Sequence, residues 1–347
     1  MNIRQNVQHH RSFRPDANSD VFKKNGVRYM ICYHASHEQF PPGKMLELAQ
    51  LARDSGFQGI TCSDHFYPWS SRQGQSGFAL SWLGASLQAT GLTHGVVTAP
   101  GWRYHPVILA QAGATLSEMF PGRFWMALGS GELLNEGVVG RRWPAKSVRM
   151  QMLYESAEVI RSLWAGETVN HYGLFNAEEA RLYTLPAEPP MLIGAAISPE
   201  TSEWVAGWAD GMITISQEQS KMVQVVEAFH RGGGKGKPMM LKAEVSYAET
   251  EEAALQGAWQ EWKTNVFDSS LLAQLRLPSE FETASMYVRP EDMHPHVNIS
   301  ADIDRQFEWV KDYLEMGFST ITLHNVNREQ EMFISRFGKK LVKHSGL

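Results

Sequence analysis

The chain is poor in cysteine, in long apolar runs and in any excess of one charge. Among its 347 residues only two are cysteine, Cys32 and Cys62, each inside an apolar, strand-like run. They lack metal-type spacing, and two buried free thiols fit a reducing compartment, not a disulfide framework. No apolar stretch approaches the ~20 residues that a membrane span needs. Lys and Arg number 32 against 37 Asp and Glu, a formal net charge of −5, and no basic run stands out. That balance points away from nucleic acid and membrane surfaces. Residues 1–26 are polar, with no apolar h-region, and read as an extended or disordered arm, not a secretory leader. A cytoplasmic protein is the expectation.

What is present is a rhythm. Apolar residues make up 43% of the chain, ample for a large core. From Val27 onward, short runs rich in strand formers alternate with longer segments of helical period. Strands are expected over 27–35, 58–63, 95–99, 123–128, 190–195, 210–216, 238–247 and 320–324. Helices are expected between them, several opened by Pro or closed by Gly. A loop carrying Tyr172, Phe175 and Tyr183 interrupts the pattern, and residues 265–298 read as irregular. Continuous apolar strands separated by helices imply a parallel sheet covered on both faces. Roughly eight such units predict an α/β fold, a (β/α)8 TIM barrel with insertions spanning 27–347. No Gly-x-Gly-x-x-Gly follows the first strand, which argues against an open dinucleotide-binding sheet.

In such a barrel, chemistry sits where strands end. The first strand runs into Ser36-His37-Glu38, the second into Asp64-His65 and Trp69, and the fourth into Gly129-Ser130-Gly131-Glu132 with Asn135 and Glu136 beyond. Asp64 and His65 could form a merely structural pair, but with Glu132 on a nearby strand end a functional reading is favoured. Glu132 could instead cap the next helix. Trp69 could be loop packing or the wall of a planar cofactor's site. Gly129 and Gly131 allow close approach to a flat group, though a tight turn would also use them. Ile197-Ser198-Pro199 opens a helix, either as an ordinary cap or as a phosphate seat. His34, His37, His294 and His296 suggest a metal site on paper. However, His34 and His37 are three apart on a strand and point to opposite faces, so no metal is expected.

Taken in order, these strand ends resemble the bacterial luciferase-like superfamily, and within it the F420-dependent glucose-6-phosphate dehydrogenase branch. The carrying segments are 35–40 (ASHEQF), 63–69 (SDHFYPW), 103–106 (RYHP) and 129–136 (GSGELLNE). The wording of 74–78 (GQSGF) and 120–125 (FPGRFW) is most similar to a subgroup of probable non-F420 flavinoid oxidoreductases. The resemblance implies FMN or F420 as cofactor, with FMN slightly favoured, and a homodimer. It implies His65 as the active-site histidine, Trp69 beside it, Glu132 as the acid/base carboxylate and Glu38 on the substrate side. Asp64, Ser130, Gly131 and Asn135 would contact the cofactor, Ile197 and Ser198 its phosphate. A non-proline cis peptide would fall at Val96-Val97, behind the ring. Glu218 stands where the resemblance places a phosphate-binding lysine, and Ile215 and Ala99 replace threonines. A carboxylate there would repel a sugar phosphate, so glucose 6-phosphate is not the expected substrate.

The reaction these residues suggest is hydride transfer between the cofactor and a small polar or sugar-like alcohol. His65, oriented by Asp64, would manage the hydroxyl proton and Glu132 a second one. The alternative is a monooxygenase using reduced FMN from a partner flavin reductase. A cofactor-free barrel enzyme is disfavoured by the lack of a strand-end lysine other than Lys242, which reads either way. A non-catalytic flavin carrier would leave the convergent acid–base groups without a use.

Overall fold

The computed structural model describes residues 23–24 and 27–344, with side chains from 29 to 343. The arm expected over 1–26 lies outside the described residues, except for Lys23–Lys24, which pairs antiparallel with Val27–Arg28. Beyond it the elements alternate. They run β1 (Met30–Ala35), α1 (Pro42–Asp54), β2 (Gly59–Ser63), α2 (Ala79–Thr90), β3 (Thr93–Thr98), α3 (Pro106–Met119), β4 (Phe124–Leu128) and α4 (Lys146–Trp164). The second half runs β5 (Met191–Ala195), α5 (Pro199–Ala206), β6 (Gly211–Ile215), α6 (Gln219–Phe229), β7 (Met239–Ser246), α7 (Glu251–Trp262), α8 (Ile303–Glu315), β8 (Thr320–Asn325) and α9 (Gln330–His344). Each strand pairs in parallel with its chain neighbour, and β8 returns to β1 with Thr322 opposite Cys32. The eight strands close into the expected (β/α)8 barrel.

Alternation along each strand divides the core in two. On β1, Ile31, Tyr33 and Ala35 pack outward against the helices. On β4, Trp125 and Ala127 face inward and meet Ile193, Ile213 and Met240 in the lumen. Gly95 makes room for that indole: a Cβ there would stand 2.0 Å from the Trp125 ring. The lower lumen is thus filled by side chains.

Two insertions differ from the expected pattern. The segment read as a loop contains a hairpin, Val169–Tyr172 against Asn176–Ala180. Its residues are too polar to show an apolar alternation, which is why the strands are not visible in the sequence. Residues 265–298 hold short helices at Ser269–Leu272 and Pro278–Ala284 and a 3-10 turn at Pro290–Met293. Phe281, Met293 and Val297 from this segment are buried with Trp69, Leu134 and Trp262 in a separate apolar cluster. It therefore backs the mouth of the barrel directly behind Trp69.

Candidate active site

His65 lies just past β2, and its ring centroid stands 4.8 Å from that of Trp69. Its Nδ1 faces Glu38 Oε1 at 3.4 Å, an ion-pair distance longer than a good hydrogen bond. Glu38 comes from the turn after β1 and is buried. The Ser63 hydroxyl donates to its Oε1 at 2.6 Å and the Ser36 hydroxyl to its Oε2 at 3.0 Å. Burial pushes this carboxyl up, but His65, the Ser63 hydroxyl and His34 outweigh it and hold it down at about 2. Glu38 is therefore an anion facing the imidazole, whose buried Nδ1 makes no hydrogen bond.

Asp64 does not hold His65, contrary to its expected role. One of its oxygens accepts from Tyr104 Oη at 3.1 Å and the other from Thr98 Oγ1 at 2.8 Å. Arg103 Nη2 stands 3.0 Å from the same carboxylate. Thus β3 and the loop after it engage both oxygens of Asp64. Glu136 lies on the other side of Arg103 and takes its backbone N–H at 2.8 Å. Burial raises the Glu136 carboxyl to about 7 against the pull of Arg103. Asn135 is buried, and its Oδ1 accepts the Phe66 N–H at 2.9 Å, clamping the His65 loop to the segment after β4.

Glu132 precedes the short helix Leu133–Glu136, but its side chain makes no capping hydrogen bond. The carboxylate is free for the site. Burial raises its pKa, with Glu38 adding to the effect and His65, Lys242 and Arg149 opposing it. Ser130 and Gly131 are half-buried just before it. Gly131 has φ +77°, and a Cβ there would press on Glu136 Cγ at 2.9 Å and Ala99 at 3.3 Å. Position 131 therefore requires glycine.

The peptide bond Val96-Val97 is trans, which corrects the expected cis bond. Both residues keep an unbroken parallel ladder, with Cys62 and Ser63 on one side and Met126 and Ala127 on the other. A cis bond would break that ladder and costs about 3 kcal/mol in any case. At the start of α5, Ser198 Oγ accepts the Thr201 N–H at 3.3 Å, an ordinary cap, and Ile197 is exposed. Glu218 is exposed at the start of α6.

The structure pairs Lys242, which the strand ends left ambiguous, with Glu244, which they passed over. Lys242 Nζ and Glu244 Oε1 form an ion pair of 2.7 Å on the inner face of β7. His34 and His324 lie tilted against each other in the lumen with ring centroids 4.5 Å apart. Alternation along β7 and β8 was the available signal, since Lys242, Glu244 and His324 fall on inward positions of otherwise apolar strands. Among the described residues, no group of three or more His, Cys, Asp or Glu is arranged to hold a metal ion.

A family model described as luciferase-like monooxygenase matches residues 27–309. The chain belongs to the luciferase-like family. Two relatives, the F420-dependent glucose-6-phosphate dehydrogenases of Nakamurella multipartita and Kribbella flavida, are each 32% identical to it. The matches cover 89% and 90% of this chain and 94% and 97% of theirs. A solved F420-dependent secondary alcohol dehydrogenase, in complex with an F420-acetone adduct, superposes with TM-score 0.84 at 27% identity, covering 91% of this chain and 99% of that one. A tetrahydromethanopterin reductase from Methanopyrus kandleri shares the fold, with TM-score 0.72 at 18% identity over 91% of this chain and 99% of that one. This luciferase-like protein is thus an oxidoreductase, and its acidic and imidazole groups gather at the barrel mouth. No helix among the described residues is long and apolar enough to cross a membrane.

Proposed function

We propose that this luciferase-like enzyme transfers a hydride between a small uncharged alcohol and a bound F420 or flavin ring. His65 acts as the base. The observation that carries this reading is the His65 imidazole facing anionic Glu38 beside Trp69, with the raised carboxyl of Glu132 acting on the same groups. The family's cofactor fits the residues present. Ala99, Gly129, Gly131 and Ala195 are small residues grouped at the mouth, where a flat ring would approach the backbone; glycine at 131 is itself required by Glu136 and Ala99. F420 is preferred to FMN here, because relatives 32% identical over most of the chain are named for it.

When bound, the ring supplies the hydride acceptor; the protein supplies position and proton control. Nε2 of His65 takes the proton of the substrate hydroxyl as the carbonyl forms, and the Glu38 carboxylate 3.4 Å from Nδ1 stabilises the imidazolium that results. Trp69 walls the pocket and excludes water. Glu132, kept protonated to higher pH than an ordinary carboxyl, would supply the proton that the ring takes up along with the hydride. Asp64, Ser130, Gly131 and Asn135 would border the ring, Val96 and Val97 would back it, and Ile197 and Ser198 would hold its phosphate. The exposed carboxylate of Glu218 disfavours a sugar phosphate. A homodimer belongs to the same reading and is checked by light scattering.

The test is a pair of titrations of the purified protein with F420 and with FMN, following tryptophan fluorescence. Turnover with propan-2-ol and unphosphorylated sugars then follows. Binding of F420, with alcohol-dependent bleaching of its visible absorbance, supports the proposal. Binding of neither cofactor overturns it. Oxygen consumption that needs FMN and an added flavin reductase, without alcohol oxidation, would make the protein a monooxygenase instead.

A further inference from the structure

We propose that Lys242, Glu244 and His324 form a second polar subsite of the substrate pocket, which binds a hydroxyl remote from the reacting carbon and selects uncharged polyols. The inference rests on the alcohol reading above and specifies its substrate class.

Lys242 and Glu244 are two residues apart on β7 and share its inner face. Their ion pair is 2.7 Å long, and the Ser216 hydroxyl donates to the other Glu244 oxygen at 2.9 Å. Glu244 is almost fully enclosed, whereas the Lys242 side chain keeps 17% of its surface open. Glu244 takes one of the three ammonium N–H groups, which leaves two for a ligand.

His324 faces Glu244 across the β7–β8 ladder. It is fully buried, yet neither of its ring nitrogens has a hydrogen-bond partner. Burial, and then the nearby charge of Lys242, hold it neutral. A neutral imidazole offers one donor and one acceptor, and leaving both unmet inside a protein is unfavourable. A ligand hydroxyl, itself both donor and acceptor, satisfies whichever of the two nitrogens faces it, in either tautomer.

Two indoles in edge-to-face contact join this subsite to the reacting end. The Trp262 ring lies 4.8 Å from His324 and 5.1 Å from Lys242 Nζ. It is also 6.5 Å from the Trp69 ring, which is 4.8 Å from His65. A carbon chain lying along the two indoles would carry one hydroxyl at His65 and another at Lys242 and His324. Charge selects against anions, because Glu244 already neutralises Lys242 and Glu38 adds a fixed negative charge nearby.

The experiment compares wild type, Lys242→Met and the charge-neutral double variant Lys242→Met/Glu244→Gln, all loaded with the cofactor that binds. The double variant avoids leaving Glu244 buried without a partner. Sorbitol and propan-2-ol are compared as substrates, and sorbitol binding is followed separately by tryptophan fluorescence. The sorbitol to propan-2-ol ratio of kcat/KM should fall about tenfold in both variants, through KM, as expected for one lost charged hydrogen bond. The sorbitol dissociation constant should rise by a similar factor. An unchanged ratio, or a wild type that neither binds nor prefers sorbitol, overturns the subsite. If sorbitol binds at Lys242 but no alcohol is oxidised, the subsite stands and the hydride-transfer reading fails.

Discussion

Two carboxylates lie close to His65, and they do different work. Asp64 is its neighbour in the chain, but its oxygens are taken by Thr98, Tyr104 and Arg103. Glu38 comes from a different strand end, yet it is the group that faces the imidazole. Adjacent residues leaving a strand point in opposite directions, so the partner of His65 comes from the strand beside it. Adjacency in sequence is a poor guide to pairing where eight loops converge.

The largest expected effect tests the imidazole itself. His65→Ala should lower kcat by roughly two to four orders of magnitude in a cofactor-bleaching assay, the range for losing a general base. Glu38→Gln should fall between that variant and wild type. If Asp64→Asn slowed the folded enzyme as much as Glu38→Gln, the contrast between the two carboxylates would collapse.

Asp64→Ala should act on stability. It removes a carboxylate from the buried Arg103, a kind of change that costs about 3–5 kcal/mol, readable in urea denaturation. With Glu136 still beside Arg103, the lower end of that range is expected.

The dependence of stability on pH sharpens the comparison, because two buried carboxyls should give opposite slopes. Glu38 titrates near 2 in the fold against an ordinary 4.5. Its contribution is complete above about pH 4.5 and is lost as pH falls toward 2. Glu136 titrates near 7 against the same ordinary 4.5, so the native state holds its proton more tightly and stability falls as pH rises from 4.5 to 7. Each swing is on the order of 3 kcal/mol. Glu136→Gln should flatten the decline between pH 4.5 and 7 in urea titrations, whereas Glu38→Gln should flatten the acid limb.

The smallest effect concerns the hydroxyls that fix Glu38. Ser36→Ala should cost about 1 kcal/mol, the usual value of one hydrogen bond, with little change in the alcohol-oxidation rate. A larger kinetic loss would mean that Ser36 helps to aim Glu38 at His65.

Much of the architecture could be read from the chain before folding. Alternating apolar runs and amphipathic segments are local consequences of backbone period, and α3 starts and stops at the residues its Pro and its pattern suggest. His65, Glu132 and Glu38 were visible because barrel chemistry gathers at strand ends, and those ends could be located. The hairpin at 169–180 and the short helices of 265–298 were not visible, because neither carries a strong apolar period. Only the folded barrel decided which groups meet. Asp64 turned toward Arg103, Glu38 toward His65, and Lys242 toward Glu244 and Trp262, because closing the sheet brings distant positions onto one inner surface. Local sequence sets which face a residue occupies, but its partner across the lumen depends on strand order and register, which are properties of the whole barrel.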